Sequence, residues 1–113
     1  MEIKRGEIYY IDMNPTTGAM EGSLKPALVI SNNAQNSYLP TVIVAPISSK
    51  RKTVLPTHVD IPSKEGGLAE GSVILLEKIS VIDKSRLKKR LGTVSKDTMY
   101  QVDYAIRVSL DLP

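Results

Sequence analysis

The chain has 113 residues, a formal net charge of +3, 42% apolar content and no cysteine. That is room for one domain, spanning residues 1–113, with a loop-rich globular composition rather than a disordered one. Lack of cysteine excludes disulfides, thiolate metal sites and a cysteine nucleophile. The single histidine, His58, cannot build a multi-histidine cluster, so any metal chemistry would have to rest on carboxylates alone. No run approaches the roughly 20 apolar residues that span a bilayer. The start Met1-Glu2-Ile3-Lys4-Arg5 leads into a strand rather than an apolar signal region, so a cytoplasmic protein without membrane attachment is expected.

Taken in chain order, Gly6 precedes a β-rich run over 7–13, and Asn14-Pro15-Thr16-Thr17-Gly18 reads as a loop. Residues 27–31 form a short apolar run bounded by Pro26 and Asn32-Asn33, which predicts a strand buried on both faces. The polar segment 33–40 reads as a connection. Residues 41–48 follow as a third strand whose Pro46 demands an edge or a bulge, because proline cannot donate to a ladder. A fourth strand is expected over 57–61, ending at Pro62 before the turn at Gly66-Gly67. From Ser72 to Ile82 the pattern is β-rich, but Glu77 shares the parity of Val73, Leu75, Ile79 and Val81. A bare carboxylate on that side is costly, so the strand breaks near Glu77-Lys78 or the carboxylate has a polar or functional site. Asp83 is placed to cap a short helix carrying Leu87 and Leu91, ended by Gly92 and followed by a short strand at Thr93-Val94. Ser95 then caps a C-terminal helix with Met99, Val102, Ile106 and Leu110 on its packed face. Many short strands and one well-formed terminal helix predict a mainly β protein with helices, a small, partly open β-barrel.

Two features suggest chemistry. Lys25 ends a Gly-containing polar stretch immediately before Pro26, and proline biases the preceding residue toward an extended backbone, so a cation is held at the mouth of a strand. Basic residues also cluster, at Lys50, Arg51 and Lys52 and again at Lys84, Arg86, Lys88, Lys89 and Arg90. The first cluster is the better candidate for meeting a polyanion; the second reads as an exposed helix face. Aromatic residues are Tyr9, Tyr10, Tyr38, Tyr100 and Tyr104, so stacking on a nucleobase must use tyrosine or an arginine plane. His58 reads as a strand residue satisfied by local hydrogen bonds.

Several stretches, in this order, resemble the MazF/PemK toxins of bacterial toxin–antitoxin systems. They are Lys4-Arg5-Gly6-Glu7-Ile8-Tyr9, Lys25-Pro26-Ala27-Leu28-Val29-Ile30, the segment from Pro40 to Ser48, Pro56-Thr57-His58-Val59, Ser72-Val73-Ile74-Leu75-Leu76-Glu77, Ile82-Asp83-Lys84-Ser85-Arg86-Leu87 and the closing helix with Val102-Asp103. The resemblance covers nearly the whole chain and implies an SH3-like barrel. It also implies a sequence-specific, metal-independent endoribonuclease without a cofactor, acting on single-stranded RNA by attack of the ribose 2′-OH on the adjacent phosphorus, leaving a 2′,3′-cyclic phosphate and a 5′-OH.

The family's arginine before the strand-two proline and its threonine or serine at the end of strand three match Lys25 and Ser48. Glu21, in the loop that would close over substrate, is expected to contact RNA or assist proton transfer, and Lys50 and Arg51 of the basic loop and Glu77 are expected to contact RNA. Two departures stand out. Lysine replaces the usual arginine and lacks its planar fork, and Ser80 stands where many relatives place another arginine. The resemblance further implies a homodimer and an acidic, MazE-like antitoxin. The alternatives are a toxin of the same fold that binds DNA gyrase without cutting nucleic acid, or a degenerate toxin retaining only antitoxin or RNA binding.

Overall fold

A computed structural model of the protein describes residues 2–12, 24–49, 54–68 and 71–113. Seven strands form one antiparallel sheet: β1 (Glu7–Asp12), β2 (Leu24–Val29), β3 (Thr41–Ser49), β4 (His58–Asp60), β5 (Ser72–Leu75), β6 (Ser80–Asp83) and β7 (Leu87–Thr93). The spatial order is β4-β5-β3-β2-β1-β7, with β6 beside β3, and the two end strands do not pair with each other, so the barrel stays open. Two helices complete the fold, α1 (Asn33–Tyr38) and α2 (Lys96–Leu110).

Both faces of the sheet are buried. One carries Ile8, Leu28, Ala45, Ile47, Val59 and Ile74 against Val102 and Ala105 of α2; the other gathers Tyr9, Ile11, Ala27, Val29, Val42, Val44, Ile82 and Leu87. The helix stripe expected over 99–110 is therefore shifted. Leu110 is exposed, and Ala105 takes the core position. Among the described residues, no helix is long and apolar enough to cross a membrane.

The strand expected at 27–31 begins three residues earlier, so Lys25 lies within β2, opposite Ile11 of β1. The connection expected at 33–40 contains α1, capped by Asn32, whose Oδ1 accepts the Gln35 N–H at 2.8 Å. The helix expected after Asp83 is a correction: residues 84–86 make one tight turn, and Leu87–Thr93 is strand β7, paired with β1. The single run expected over 72–82 is broken at Leu76–Lys78 by a 3₁₀ turn, which turns Glu77 away from the core.

Pro46 lies in the interior of β3, but its position explains how the ladder tolerates it. Val29 accepts the Gly6 N–H on its β1 side, and by the alternation of antiparallel pairs Leu28 and Ala45 face one another across β2 and β3. The Pro46 nitrogen thus points away from β2. On that flank β3 pairs with β6 over 41–44 and with β5 over 47–49, leaving the proline in the gap between them. The same alternation points the Pro26 nitrogen toward β3, where the last β2–β3 pair is Ala27↔Pro46. Pairing stops where the N–H is missing.

The far end of the sheet is tied down by glycines. Gly66, at φ +69, approaches Gly92 of β7 so closely that a Cβ on Gly92 would lie 2.6 Å from the Gly66 carbonyl carbon. This approach brings Glu65 to the start of α2, where its Oε1 accepts the Ser95 N–H and the Thr98 hydroxyl, each at 2.7 Å. Burial opposes ionisation of Glu65, but these bonds outweigh it and hold the carboxyl below its ordinary range.

Candidate active site

The paired stretch of β2 and β3 ends in a mouth. The register runs Val29↔Val44, Leu28↔Ala45, Ala27↔Pro46 and ends there, and Lys25 and Ser48 each lie two residues beyond that last pair on their own strands. Both residues line a pocket of about 410 Å³ there, together with Tyr10, Pro26, Ile47, Ser49, Leu68 and Ser72. Two strands thus bring together Lys25 and Ser48, which are distant in sequence. Each is held by a flank that remains paired: Lys25 by β1 opposite Ile11, and Ser48 by β5 opposite Val73.

Among the described residues, neither the Lys25 ammonium nor the Ser48 hydroxyl makes a hydrogen bond or ion pair within the chain. A cation and a hydroxyl on rigid strands, facing one opening and unsatisfied internally, can together bind an anionic oxygen group and stabilise charge that develops on it.

The other candidates are distributed differently. Glu21, Lys50 and Arg51 lie outside the described residues. Glu77 lies outside the residues lining the mouth, and its carboxylate is engaged: Oε1 accepts the Thr57 hydroxyl at 3.0 Å, and Oε2 lies 3.0 Å from His58 Nε2. The Leu55 N–H donates to His58 Nδ1 at 3.3 Å, which leaves the proton of a neutral imidazole on Nε2, pointing at Glu77. Burial raises the Glu77 carboxyl, but its own backbone N–H, His58 and Thr57 more than offset it, and the net is a lowered pKa. His58 is thus oriented by a carboxylate 19 residues away in sequence, a partner that the local sequence could not reveal.

A larger hollow, about 570 Å³, lies beside Arg5, Met99, Tyr100 and Asp103. Its arginine is already committed, with Nε on the Ile30 carbonyl at 2.8 Å and Nη2 on Asp103 at 2.5 Å. Ser80, the second departure expected from the resemblance, is exposed at the start of β6 opposite Val44. The residue missed in the sequence is Tyr10, whose half-buried ring lines the mouth. Its signal was available, since it shares the parity of Ile8 yet lies nearer the open end of β1.

The model of the family described as PemK-like, MazF-like toxin of type II toxin-antitoxin system matches residues 4–110. The chain belongs to this family. Solved structures agree over their full length. An endoribonuclease from a mycobacterial species superposes with a TM-score of 0.82 at 27% identity, covering 100% of this chain and 95% of that one. A mycobacterial endoribonuclease in complex with its cognate antitoxin superposes with a TM-score of 0.82 at 29% identity, covering 98% and 97%. MazF from Deinococcus radiodurans shares the fold, with a TM-score of 0.80 at 24% identity and 99% coverage of both chains. The protein is thus a toxin of the MazF/PemK family, and its open antiparallel sheet with a C-terminal helix is the family's fold.

Proposed function

We propose that this toxin is a sequence-specific, metal-independent endoribonuclease of single-stranded RNA, with Lys25 and Ser48 at the reacting phosphate. The carrying observation is their convergence, with no partner among the described residues, on one mouth between β2 and β3. In the reaction an O2′–P bond forms and the P–O5′ bond breaks, while a proton leaves O2′ and another reaches O5′. The Lys25 ammonium neutralises the developing phosphorane and carries the proton that O5′ needs; the Ser48 hydroxyl donates to a non-bridging oxygen. Glu21, the acidic residue nearest Lys25 in sequence, is assigned the proton leaving O2′. Products are a 2′,3′-cyclic phosphate and a 5′-OH.

Lysine for arginine replaces a two-pronged grip by a point charge, so binding geometry is looser while proton donation is easier. Lys50 and Arg51 are assigned to the RNA backbone. Glu77 is assigned an indirect part in RNA binding, holding the segment 55–58 in place through Thr57 and His58. The whole chain acts as one toxin domain, as a homodimer, and an acidic MazE-like antitoxin is the partner that a chain of net charge +3 suits. The relative solved with its cognate antitoxin supports that pairing.

The test is to incubate the purified protein with a long unstructured RNA in EDTA beside Lys25→Ala, map the cuts and determine the new ends. Site-specific cuts with 5′-OH ends, lost in the variant, are expected. Unchanged cutting by Lys25→Ala, or cutting only with added divalent metal, overturns the assignment.

A further inference from the structure

The proposed chemistry uses the Lys25–Ser48 rim of the mouth and leaves its interior unassigned. Tyr10 stands opposite Pro26 in the β1–β2 register, and Pro26 and Ile47 share its side of the sheet. Leu68 lines the same space, and the hydroxyl-bearing Ser49 and Ser72 complete its wall. The cavity's lining thus combines one aromatic residue and three apolar ones with a lysine and three serines. No hydrogen bond of the Tyr10 hydroxyl is made among the described residues, so the ring is not held there by its polar end.

This combination of a cation, hydroxyls and an aromatic residue around one pocket matches a nucleotide, which is charged at its phosphate and flat and apolar on the faces of its base. We infer that Tyr10 is a specificity-determining residue, whose ring stacks the nucleobase flanking the phosphate held by Lys25 and Ser48. The inference rests on the ribonuclease reading for its substrate, but it concerns binding, which can be measured without cleavage. Stacking on a single aromatic ring also fits a chain with few aromatic residues, because one tyrosine placed beside the phosphate subsite selects one base position rather than a run of them. The remaining tyrosines do not line this pocket.

The probe is a set of single-stranded oligoribonucleotides with 2-aminopurine at one position each, next to a 2′-deoxy residue that blocks attack. In the wild type, fluorescence at one flanking position is expected to be quenched on binding. Tyr10→Ala should abolish that quenching and weaken binding roughly ten- to a hundred-fold, while Tyr10→Phe restores most of both, since the ring rather than the hydroxyl is responsible. Melting temperatures of both variants identify any loss of fold. On cleavable RNA, Tyr10→Ala should relax the sequence preference at that same position. Quenching that is identical in wild type and in folded Tyr10→Ala at every position overturns the inference, as does quenching lost equally in Tyr10→Phe. Quenching that depends on Tyr10 in a protein that cuts no RNA sustains the base site while overturning the nuclease reading.

Discussion

The mouth at Lys25 and Ser48 and the cluster of Thr57, His58 and Glu77 are both polar, lie at the ends of neighbouring strands, and differ in one respect. In the cluster each group has a partner inside the chain, with Thr57 and His58 each 3.0 Å from a Glu77 oxygen. In the mouth the ammonium and hydroxyl have none among the described residues. Satisfied polar groups stabilise the fold; convergent unsatisfied ones on rigid strands are free to stabilise something else. Substitutions at the mouth should therefore change activity and leave stability alone, and substitutions at internally bonded sites should do the reverse.

The largest effect expected is on RNA cleavage by Lys25→Ala, a loss of about 10²–10³-fold in kcat, the cost of removing one preorganised charge stabiliser. Its melting temperature should match the wild type, because Lys25 is exposed; a large drop in thermal stability would break the comparison. Next is Gly92→Ala, whose Cβ would meet the Gly66 carbonyl carbon at 2.6 Å. Forcing that backbone apart should cost about 1–3 kcal/mol in denaturant titration, and surviving folded protein should cut RNA normally.

Glu65→Ala removes two bonds at the start of α2 and should cost about 1 kcal/mol, the usual worth of a helix cap. Its pH signature is specific. A carboxyl whose folded pKa lies below the ordinary 4.5 stabilises the fold fully above that pH, and the stabilisation is lost as acid carries the pH down through the lowered value. Acid unfolding of Glu65→Gln should lack that component, and an unchanged acid limb would remove the cap from the account. The smallest effect is expected of Glu77→Gln, which keeps one acceptor oxygen for His58 and can donate its amide to the Thr57 hydroxyl. Cleavage should fall less than ten-fold, and a loss rivalling that of Lys25→Ala would place Glu77 in the chemistry.

The sheet was readable where β-rich apolar runs are bounded by turn residues, as in β1 and β3, and α2 was readable from Ser95 and its apolar stripe. The strand β7 was not, for a definite reason. Leu87 packs with the Tyr9 cluster and Leu91 with the Ile8 cluster. The register against β1 slips between them, so the strand changes faces midway and leaves a four-residue spacing that imitates a helix. Helix α1 went unread because it is short and polar, and its signal was confined to the Asn32 cap. At the candidate site, Lys25 was legible from its place before Pro26, Ser48 came from the resemblance, and Tyr10, named only among the tyrosines, was placed beside them by the structure. Its neighbours in the pocket are contributed by other strands, and no local pattern reports them.

The two prolines of the central strands acquire a further meaning from this geometry. A valine at position 26 would restore the N–H that faces β3, and the ladder could close by one more bond toward Ile47. The β2–β3 ladder of this toxin thus ends at a hydrogen that proline does not carry, and the pocket lined by Lys25 and Ser48 lies just beyond that end.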